Sequence, residues 1–329
     1  SLSGQARAHH ALNAFYDLDT PIRIEGTLTA VRWVNPHISF ELDETGPDGQ
    51  PVVWTVASGA PALVRRVGID DDTFAVGAHV AISGFPSKRR EIDMVGVIFH
   101  MDNGTDLPMF KGLAARLGVD LTASGAPVRG DAEQASAEAV SGIFRVWTFQ
   151  DDPSIPRFEP EFLQSAIDAR ADYDPLTDDP ALSCTPRGMP FAMQNRFPVE
   201  FVEQNGSILL RLEMWAIERT IYMGGNAGGT MQPASPLGYS VGRWEGDSLL
   251  VTTTNIDWLY FDELGTPQSP EIEVEERFTL SDDATVLDYE TTITDPGMLL
   301  EPAMRRARWV WVPGDEIQPY GCTPISTDE

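Results

Sequence analysis

The chain has 329 residues, which is enough for two domains that each bury a core of their own. Its 50 acidic residues outnumber 23 lysines and arginines, so the formal net charge is −27 at pH 7. Such a surface repels phosphate backbones and anionic lipid head groups, and we therefore expect no nucleic acid and no membrane surface as a partner. No apolar run approaches the roughly 20 residues that a helix needs to cross a bilayer, which argues against membrane insertion and predicts a soluble protein.

The N-terminal arm, residues 1–20, and the cysteines both indicate export. Ala6-Arg7-Ala8 directly precedes His9 and has the small-x-small form of an export-signal cleavage site, which predicts a periplasmic or secreted protein. Only Cys184 and Cys322 occur, too few for a metal cluster but enough for one disulfide, which we expect to close the second domain. Two buried free thiols are the alternative.

Residues 21–104 are predicted to form a small five-stranded barrel. Alternation of apolar and polar residues predicts strands at 23–33, 37–43, 51–57, 79–85 and 91–100. A helix-like piece, 60–67, falls between the third and the fourth strand. This order is that of an oligonucleotide/oligosaccharide-binding (OB) barrel, in which the helix plugs one end. Because the acidic charge opposes nucleic-acid binding, we expect this barrel to serve as a docking module.

Residues 105–156 are predicted to form a connector with short helices at 110–117 and 132–140, and another helix is predicted at 160–171. The second domain, residues 157–329, then shows one alternating segment after another. Its predicted strands are 199–203, 207–215, 219–223, 239–244, 248–255, 271–280, 285–294, 306–312 and a last short strand into Cys322. At least eight strands in adjacent pairs favour an antiparallel lipocalin-like β-barrel or a sandwich, so the fold class is mainly β.

Two carboxylates are predicted to point into this second barrel. Alternation places Glu276 on the same face as Phe278, and Glu213 on the same face as Trp215. A carboxylate in an apolar interior needs a cation or a bound proton, and both arrangements are characteristic of functional sites. The predicted partners that would satisfy or orient them are Arg219, Tyr222 and Arg243. A structural Arg-Glu network that ties the strands together is the alternative.

The aromatic residues of the second half suggest a ligand. A barrel of eight strands leaves room for one small molecule, and an aromatic wall favours an apolar or ring-containing one. The predicted lining residues are Trp215, Tyr239, Trp244, Trp258, Tyr260 and Trp309. The second domain has no histidine, so acid-base chemistry there would use Glu213, Glu276 and the loop residue Asp257. We therefore expect an exported small-molecule-binding protein, with cofactor-independent lyase, hydratase or isomerase chemistry as its extension.

The five histidines all lie in the first 100 residues. If cleavage exposes His9, its amine and ring, together with His10 and His37, provide nitrogen ligands of the kind that copper prefers. A periplasmic copper-binding protein is therefore the second hypothesis, and a non-catalytic scaffold is the third. No other cofactor is expected, because nucleotide and nucleophile motifs do not occur in the sequence.

The chain resembles an uncharacterised exported bacterial family over most of its length. The N-terminal part shows the likeness through His9-His10, Gly26-Thr27 and Trp33-x-Asn35-Pro36-His37. The C-terminal part shows it through Cys184-x-Pro186-x-Gly188, Arg219-x-Ile221-Tyr222-Met223, Gly242-Arg243-Trp244-Glu245-Gly246-Asp247 and Glu276-Arg277-Phe278. One departure is Gly238-Tyr239-Ser240, where such sequences commonly have Gly-His-Ser. The resemblance implies no established activity.

Overall fold

In the computed structural model, the described residues are 12, 15–46, 49–119, 142–175, 177–224 and 233–324. They form a mainly β protein that divides into two compact units. The N-terminal unit comprises His9–Val128 and Gly321–Thr323, and the C-terminal unit comprises Arg129–Tyr320 and the two chain ends. Among the described residues, no helix combines the length and the apolar character needed to span a membrane.

The N-terminal unit contains a closed five-stranded barrel, which confirms the OB-like prediction. The strands close in the order β1-β2-β3-β5-β4, with β3 and β5 parallel and the other neighbours antiparallel. Helix α1, Pro61–Arg65, follows β3 as predicted, and a sixth short strand extends the sheet beyond β5. The strands are β1 Ile22–Arg32, β2 Ser39–Thr45, β3 Pro51–Ala57, β4 His79–Pro86, β5 Asp93–Met101 and β6 Asp106–Pro108.

Two apolar clusters hold this unit together. Side chains that point inward from the strands, such as Leu28, Phe40, Ile82 and Phe99, fill the barrel. A second cluster covers the outer face of β4 and β5, where Lys111–Ala114, helix α2, packs. Its buried members are Leu18, Phe85, Val95, Val97, Ile98, Leu113 and Ala114. The outer face of β4 and β5 is therefore partly covered by packed apolar residues. Polar side chains beside this covered area have fixed surroundings.

The C-terminal unit contains a closed barrel of nine strands, so the predicted barrel is confirmed rather than the sandwich. Its members are β7 Val146–Phe149, β8 Val199–Gln204, β9 Ser207–Leu212, β10 Ile217–Met223, β11 Tyr239–Glu245, β12 Ser248–Thr254, β13 Glu273–Leu280, β14 Val286–Thr294 and β15 Ala303–Val310. Sequence neighbours pair antiparallel except for β10 and β11, which are parallel over three register pairs. A closed ring with an odd number of strands cannot alternate direction all the way round, so at least one parallel pair is required.

Several boundaries differ from the predictions. The predicted connector 105–156 contains β6 and β7, which are too short to show alternation, and its predicted helix 132–140 lies outside the described residues. The helix predicted at 160–171 is shorter and is α3, Gln164–Ala169. The predicted last strand into Cys322 is a single bridge to Asn35, within the N-terminal unit. Cys184 and Cys322 form the predicted disulfide, and neither cysteine is free.

The interior of the nine-stranded barrel is filled with large side chains. The largest buried ones there are Trp147, Phe201, Arg219, Phe278, Tyr289 and Trp309. Phe278 and Tyr289 pack with ring centroids 4.9 Å apart, and Tyr289 and Trp309 with centroids 5.4 Å apart. Contacts of this kind leave the middle of the barrel as a packed core. A ligand would therefore have to bind toward an end of the barrel.

Candidate functional site

Glu276 lies inside the barrel, as the alternation of β13 predicted, and Arg219 of β10 is its partner. Arg219 donates from Nη1 to Glu276 Oε1 over 3.0 Å and from Nη2 to Glu276 Oε2. Both side chains are almost completely shielded from solvent. The two parallel N–H···O contacts form the side-on pair that a planar guanidinium makes with a carboxylate.

Three hydroxyl groups complete this arrangement, which we call the barrel network. Arg219 donates from Nε to Ser240 Oγ over 2.9 Å and from Nη2 to Thr253 Oγ1 over 2.7 Å. The Tyr289 hydroxyl donates to Glu276 Oε1 over 2.9 Å. These five residues belong to the consecutive strands β10 to β14, so the network crosses the parallel β10–β11 pair. It therefore adds side-chain hydrogen bonds across a backbone pairing of only three register pairs.

The opposite charges of Arg219 and Glu276 compensate each other within the barrel network. Burial by itself would lower the pKa of Arg219, but the charge of Glu276 and its hydrogen bonds raise it, so the guanidinium stays charged. Burial, reinforced by the charge of Glu276, raises the pKa of Tyr289 well above its ordinary value, so the phenol keeps its proton. Arg305 of β15 lies close to Tyr289 and donates from Nη1 to the Met193 carbonyl over 3.1 Å. This arrangement matches the structural Arg-Glu network that the sequence left open as an alternative.

Glu213 is buried but does not belong to this network. The predicted strand 207–215 ends at Leu212, and Glu213 begins a turn in which Trp215 and Ala216 have φ values of 64° and 50°. Because Glu213 lies outside the strand, alternation does not determine the direction of its side chain, and the predicted shared face with Trp215 is wrong. Its Oε2 accepts a hydrogen bond from the backbone N–H of Gln318 over 2.9 Å. Glu213 thus lies at one end of the barrel, where it binds the C-terminal segment of this unit.

A cleft of about 370 Å³ opens where β8, β10 and β11 end and β9 begins. We call it the mouth cleft. It is lined by Phe144, Glu203, Gly206, Ser207, Ile208, Met223, Gly224, Arg243 and Trp244. Its size falls in the range of small-molecule sites, roughly 300–1,000 Å³. Two of the predicted residues, Arg243 and Trp244, meet here.

Arg243 and Trp244 give the mouth cleft its chemical character. Trp244 is 46% exposed, and its ring packs edge-on against Phe144 with centroids 6.3 Å apart. Arg243 is exposed and makes no hydrogen bond or ion pair with the described part of the chain. In a chain with a net charge of −27, an exposed guanidinium beside two aromatic rings is a distinctive combination. It can hold an apolar ring and an anionic group at the same time.

The other predicted ligand-lining residues lie elsewhere. Trp309 is core, and Trp215 packs on Tyr320 with ring centroids 5.0 Å apart. Tyr260 packs on Tyr173, and the ring of Trp258 lies against Gly188. Tyr222 packs on Tyr239 outside the barrel, and neither contacts Glu276. Asp257 is an exposed loop residue. The predicted residues therefore form no single site, because some are core residues, some lie in loops and some lie outside the barrel.

Of the proposed copper ligands, His37 is exposed, while His9 and His10 lie outside the described residues. The ring Nδ1 of His37 lies 2.9 Å from the Ser58 carbonyl, and donation to that oxygen leaves Nε2 as the acceptor. The described residues contain no group of three His, Cys, Asp or Glu side chains that could hold a metal ion. Copper binding therefore stays a prediction.

Sequence reasoning missed several members of these sites. Tyr289 could have been found, because Leu287, Tyr289 and Ile293 alternate inward on β14. Ser240 and Thr253 are short polar residues on strands, and nothing local marks them as partners of an arginine. Phe144 lies just before the four-residue strand β7 and carries no periodic signal.

A family of unknown function, DUF6152, matches residues 1–95 of this chain. The match includes His9, His10 and the Asn35-Pro36-His37 stretch, together with the first four strands of the N-terminal barrel. It covers less than a third of the 329 residues and leaves the nine-stranded barrel outside. No curated protein matches the chain.

Proposed function

We propose that the C-terminal barrel binds a small, largely apolar molecule in the mouth cleft, with its ring or chain against Trp244 and Phe144. The observation that carries this proposal is the half-exposed Trp244 beside an arginine that has no ion-pair partner in the described chain. Covering the exposed part of an indole contributes about 2–3 kcal/mol of apolar burial. Arg243 would bind an anionic group at the other end of the molecule.

The C-terminal barrel is proposed to bind a ligand without acid-base catalysis by Glu276. Both oxygens of that carboxylate are engaged by Arg219, and Tyr289 donates to one of them as well. A general base needs a free lone pair within reach of a substrate proton, and large side chains fill the space around Glu276. The lyase, hydratase or isomerase chemistry is therefore not part of the proposed function.

We also propose that the protein works in the periplasm or outside the cell. The Cys184–Cys322 disulfide is compatible with such an oxidising compartment. An acidic surface would keep the protein dispersed there.

Titration with 1-anilinonaphthalene-8-sulfonate, which joins apolar rings to one anionic group, tests the binding site. We expect saturable binding, and Trp244→Ala or Arg243→Ala should raise the dissociation constant at least about tenfold, which corresponds to about 1.4 kcal/mol. Leu259→Ala and Arg306→Ala, which alter an exposed leucine and an exposed arginine away from the cleft, are the matched controls. Unchanged affinity in both cleft variants would contradict the proposal, as would absence of saturable binding to the wild-type protein.

A further inference from the structure

Three side chains on neighbouring strands of the N-terminal barrel form a continuous hydrogen-bonded chain. Ser83 Oγ on β4 lies 2.8 Å from His100 Nε2 on β5. His100 Nδ1 lies 2.6 Å from Asp106 Oδ1 on β6. The order is hydroxyl, imidazole, carboxylate, and each ring nitrogen has one partner. Both distances are in the range expected of a nucleophile, its base and the group that orients the base.

The sheet register holds this arrangement in place. His100 is directly opposite Asp106 on β6 and opposite Ala81 on β4, so Ser83, two residues along β4, shares their face. Val80 and Ile82 point into the barrel, and the three polar residues therefore lie on its outer face. The buried Ile98, two residues before His100, packs in the outer apolar cluster. Positions on paired strands beside a packed cluster are more rigid than positions on a loop.

The hydrogen bonds select one tautomer of the imidazole. Donation from Nδ1 to the Asp106 carboxylate leaves the lone pair of Nε2 to accept the Ser83 hydroxyl proton. The side chain of His100 is 23% exposed, and that of Asp106 is 66% exposed. The ring and the carboxylate are therefore partly open to solvent, and Ser83 is half-buried.

A cation lies beside the serine. Arg23 of β1 is the antiparallel register partner of Ser83, so their side chains leave the sheet on the same face. Arg23 is exposed and makes no hydrogen bond or ion pair within the described chain. A guanidinium in this position can stabilise the negative oxygen that develops when a hydroxyl attacks a carbonyl group.

We propose that Ser83, His100 and Asp106 form a second site that hydrolyses carboxylic esters. Ser83 Oγ bonds to the ester carbonyl carbon while its proton passes to His100 Nε2. The tetrahedral intermediate collapses, the bond to the alkoxy oxygen breaks, and His100 returns the proton to the leaving alcohol. Water then attacks the acyl-serine, His100 accepts its proton and passes it to Ser83 Oγ, and the carboxylic acid is released. Asp106 orients the ring, and Arg23 faces the oxyanion.

The same sheet provides an internal control. His79 of β4 contacts Asp102 through Nδ1 over 3.2 Å and approaches Glu25 through Nε2 over 3.9 Å. The His79 imidazole thus lies near a carboxylate at each ring nitrogen, and neither contact involves a hydroxyl group. His79→Gln and Asp102→Asn remove the same types of group from the same barrel as His100→Gln and Asp106→Asn.

The test combines an alkyl fluorophosphonate with p-nitrophenyl acetate, using the full chain. Attack by Ser83 on the fluorophosphonate forms an O–P bond and expels fluoride, and peptide mass spectrometry locates the label. We expect labelling of Ser83, loss of that label in Ser83→Ala, and labelling and acetate release slowed at least about 100-fold in His100→Gln. Asp106→Asn and Arg23→Gln should slow acetate release at least about tenfold. His79→Gln and Asp102→Asn should retain the wild-type rates.

Thermal unfolding of each variant shows whether the barrel is intact, and Ser83→Ala deletes only one hydroxyl from it. The proposal is overturned if the fluorophosphonate leaves Ser83 of the folded wild-type protein unlabelled. It is equally overturned if His100→Gln labels as fast as the wild type, or if the His79 and Asp102 variants lose as much activity as their counterparts. The site belongs to the N-terminal unit, so its failure would leave the binding proposal for the mouth cleft unaffected.

Discussion

Glu276 and Arg277 are adjacent on β13, yet they lie in opposite environments. Glu276 is shielded inside the barrel and bound side-on by Arg219, whereas Arg277 points outward and donates to Glu245 over 2.8 Å at the surface. The cause is the two-residue period of a strand, which sends neighbouring side chains to opposite faces. Two ion pairs with almost the same position in the sequence should therefore differ widely in their energetic importance.

We expect Glu276→Gln to reduce the free energy of unfolding by roughly 3–5 kcal/mol, because it leaves the guanidinium of Arg219 buried without a countercharge. Arg277→Ala, the matched surface variant, should cost less than about 1 kcal/mol. Urea unfolding followed by fluorescence measures both. Replacing the pair together by Arg219→Met and Glu276→Leu should recover much of the loss, since neither charge then remains buried. Equal effects of the two single variants would show that the barrel network does not stabilise the fold.

Tyr289 should make the stability depend on pH in the alkaline range. Its raised pKa means that the folded protein keeps the phenol proton above pH 10, where the unfolded chain loses it. Stability is therefore unaffected below the unfolded pKa and falls above it, by about 1.4 kcal/mol per pH unit for one such group. Tyr289→Phe should be less stable at pH 8, because it loses the bond to Glu276, but should show a shallower decline toward about pH 11. Parallel curves for the two proteins would refute this role of the phenol.

Gly242 should tolerate no side chain at the parallel β10–β11 pair. A Cβ built there would lie 2.6 Å from Met223 Sδ and 2.7 Å from Ile221 Cγ2. We expect Gly242→Ala to lower the free energy of unfolding by about 1–3 kcal/mol, the usual cost of overpacking. Gly246→Ala is a useful comparison, because nothing lies within 4 Å of its Cβ position, although its φ of 59° adds strain of its own. Thermal unfolding of both variants measures the effect, and an unchanged midpoint for Gly242→Ala would contradict it.

The disulfide should contribute measurably to stability. Cys184 and Cys322 enclose a long stretch of chain, and such bridges contribute about 2–4 kcal/mol by restricting the unfolded state. A phosphine reductant should therefore lower the unfolding midpoint of the wild-type protein. The double variant Cys184→Ser/Cys322→Ser should unfold at the lower midpoint with or without reductant. If the reductant leaves the unfolding midpoint of the wild-type protein unchanged, the disulfide does not stabilise the folded state.

Much of this molecule could be predicted because the information is local. The alternation of 271–280 shows that Glu276 faces the apolar side, and the Asn205-Gly206 turn between β8 and β9 was recognisable from two residues. The cost of burying a carboxylate alone predicted a partner and suggested Arg219, Tyr222 and Arg243, and the structure shows that Arg219 is the one that binds Glu276. A disulfide was expected because two cysteines are too few for a metal cluster but enough for one bridge.

The rest was decided by contacts between distant parts of the chain. The residues of a strand determine which of its faces is apolar. Which strands it pairs with depends on how the whole ring closes, so the nine-strand count and the parallel β10–β11 pair could not be derived from alternation. The same holds for the mouth cleft, which joins Phe144 to Trp244, and for the alignment of Ser83, His100 and Asp106 on three strands. The sequence alone thus determined which face of most strands is apolar, and the closure of the two sheets determined which of the buried side chains meet.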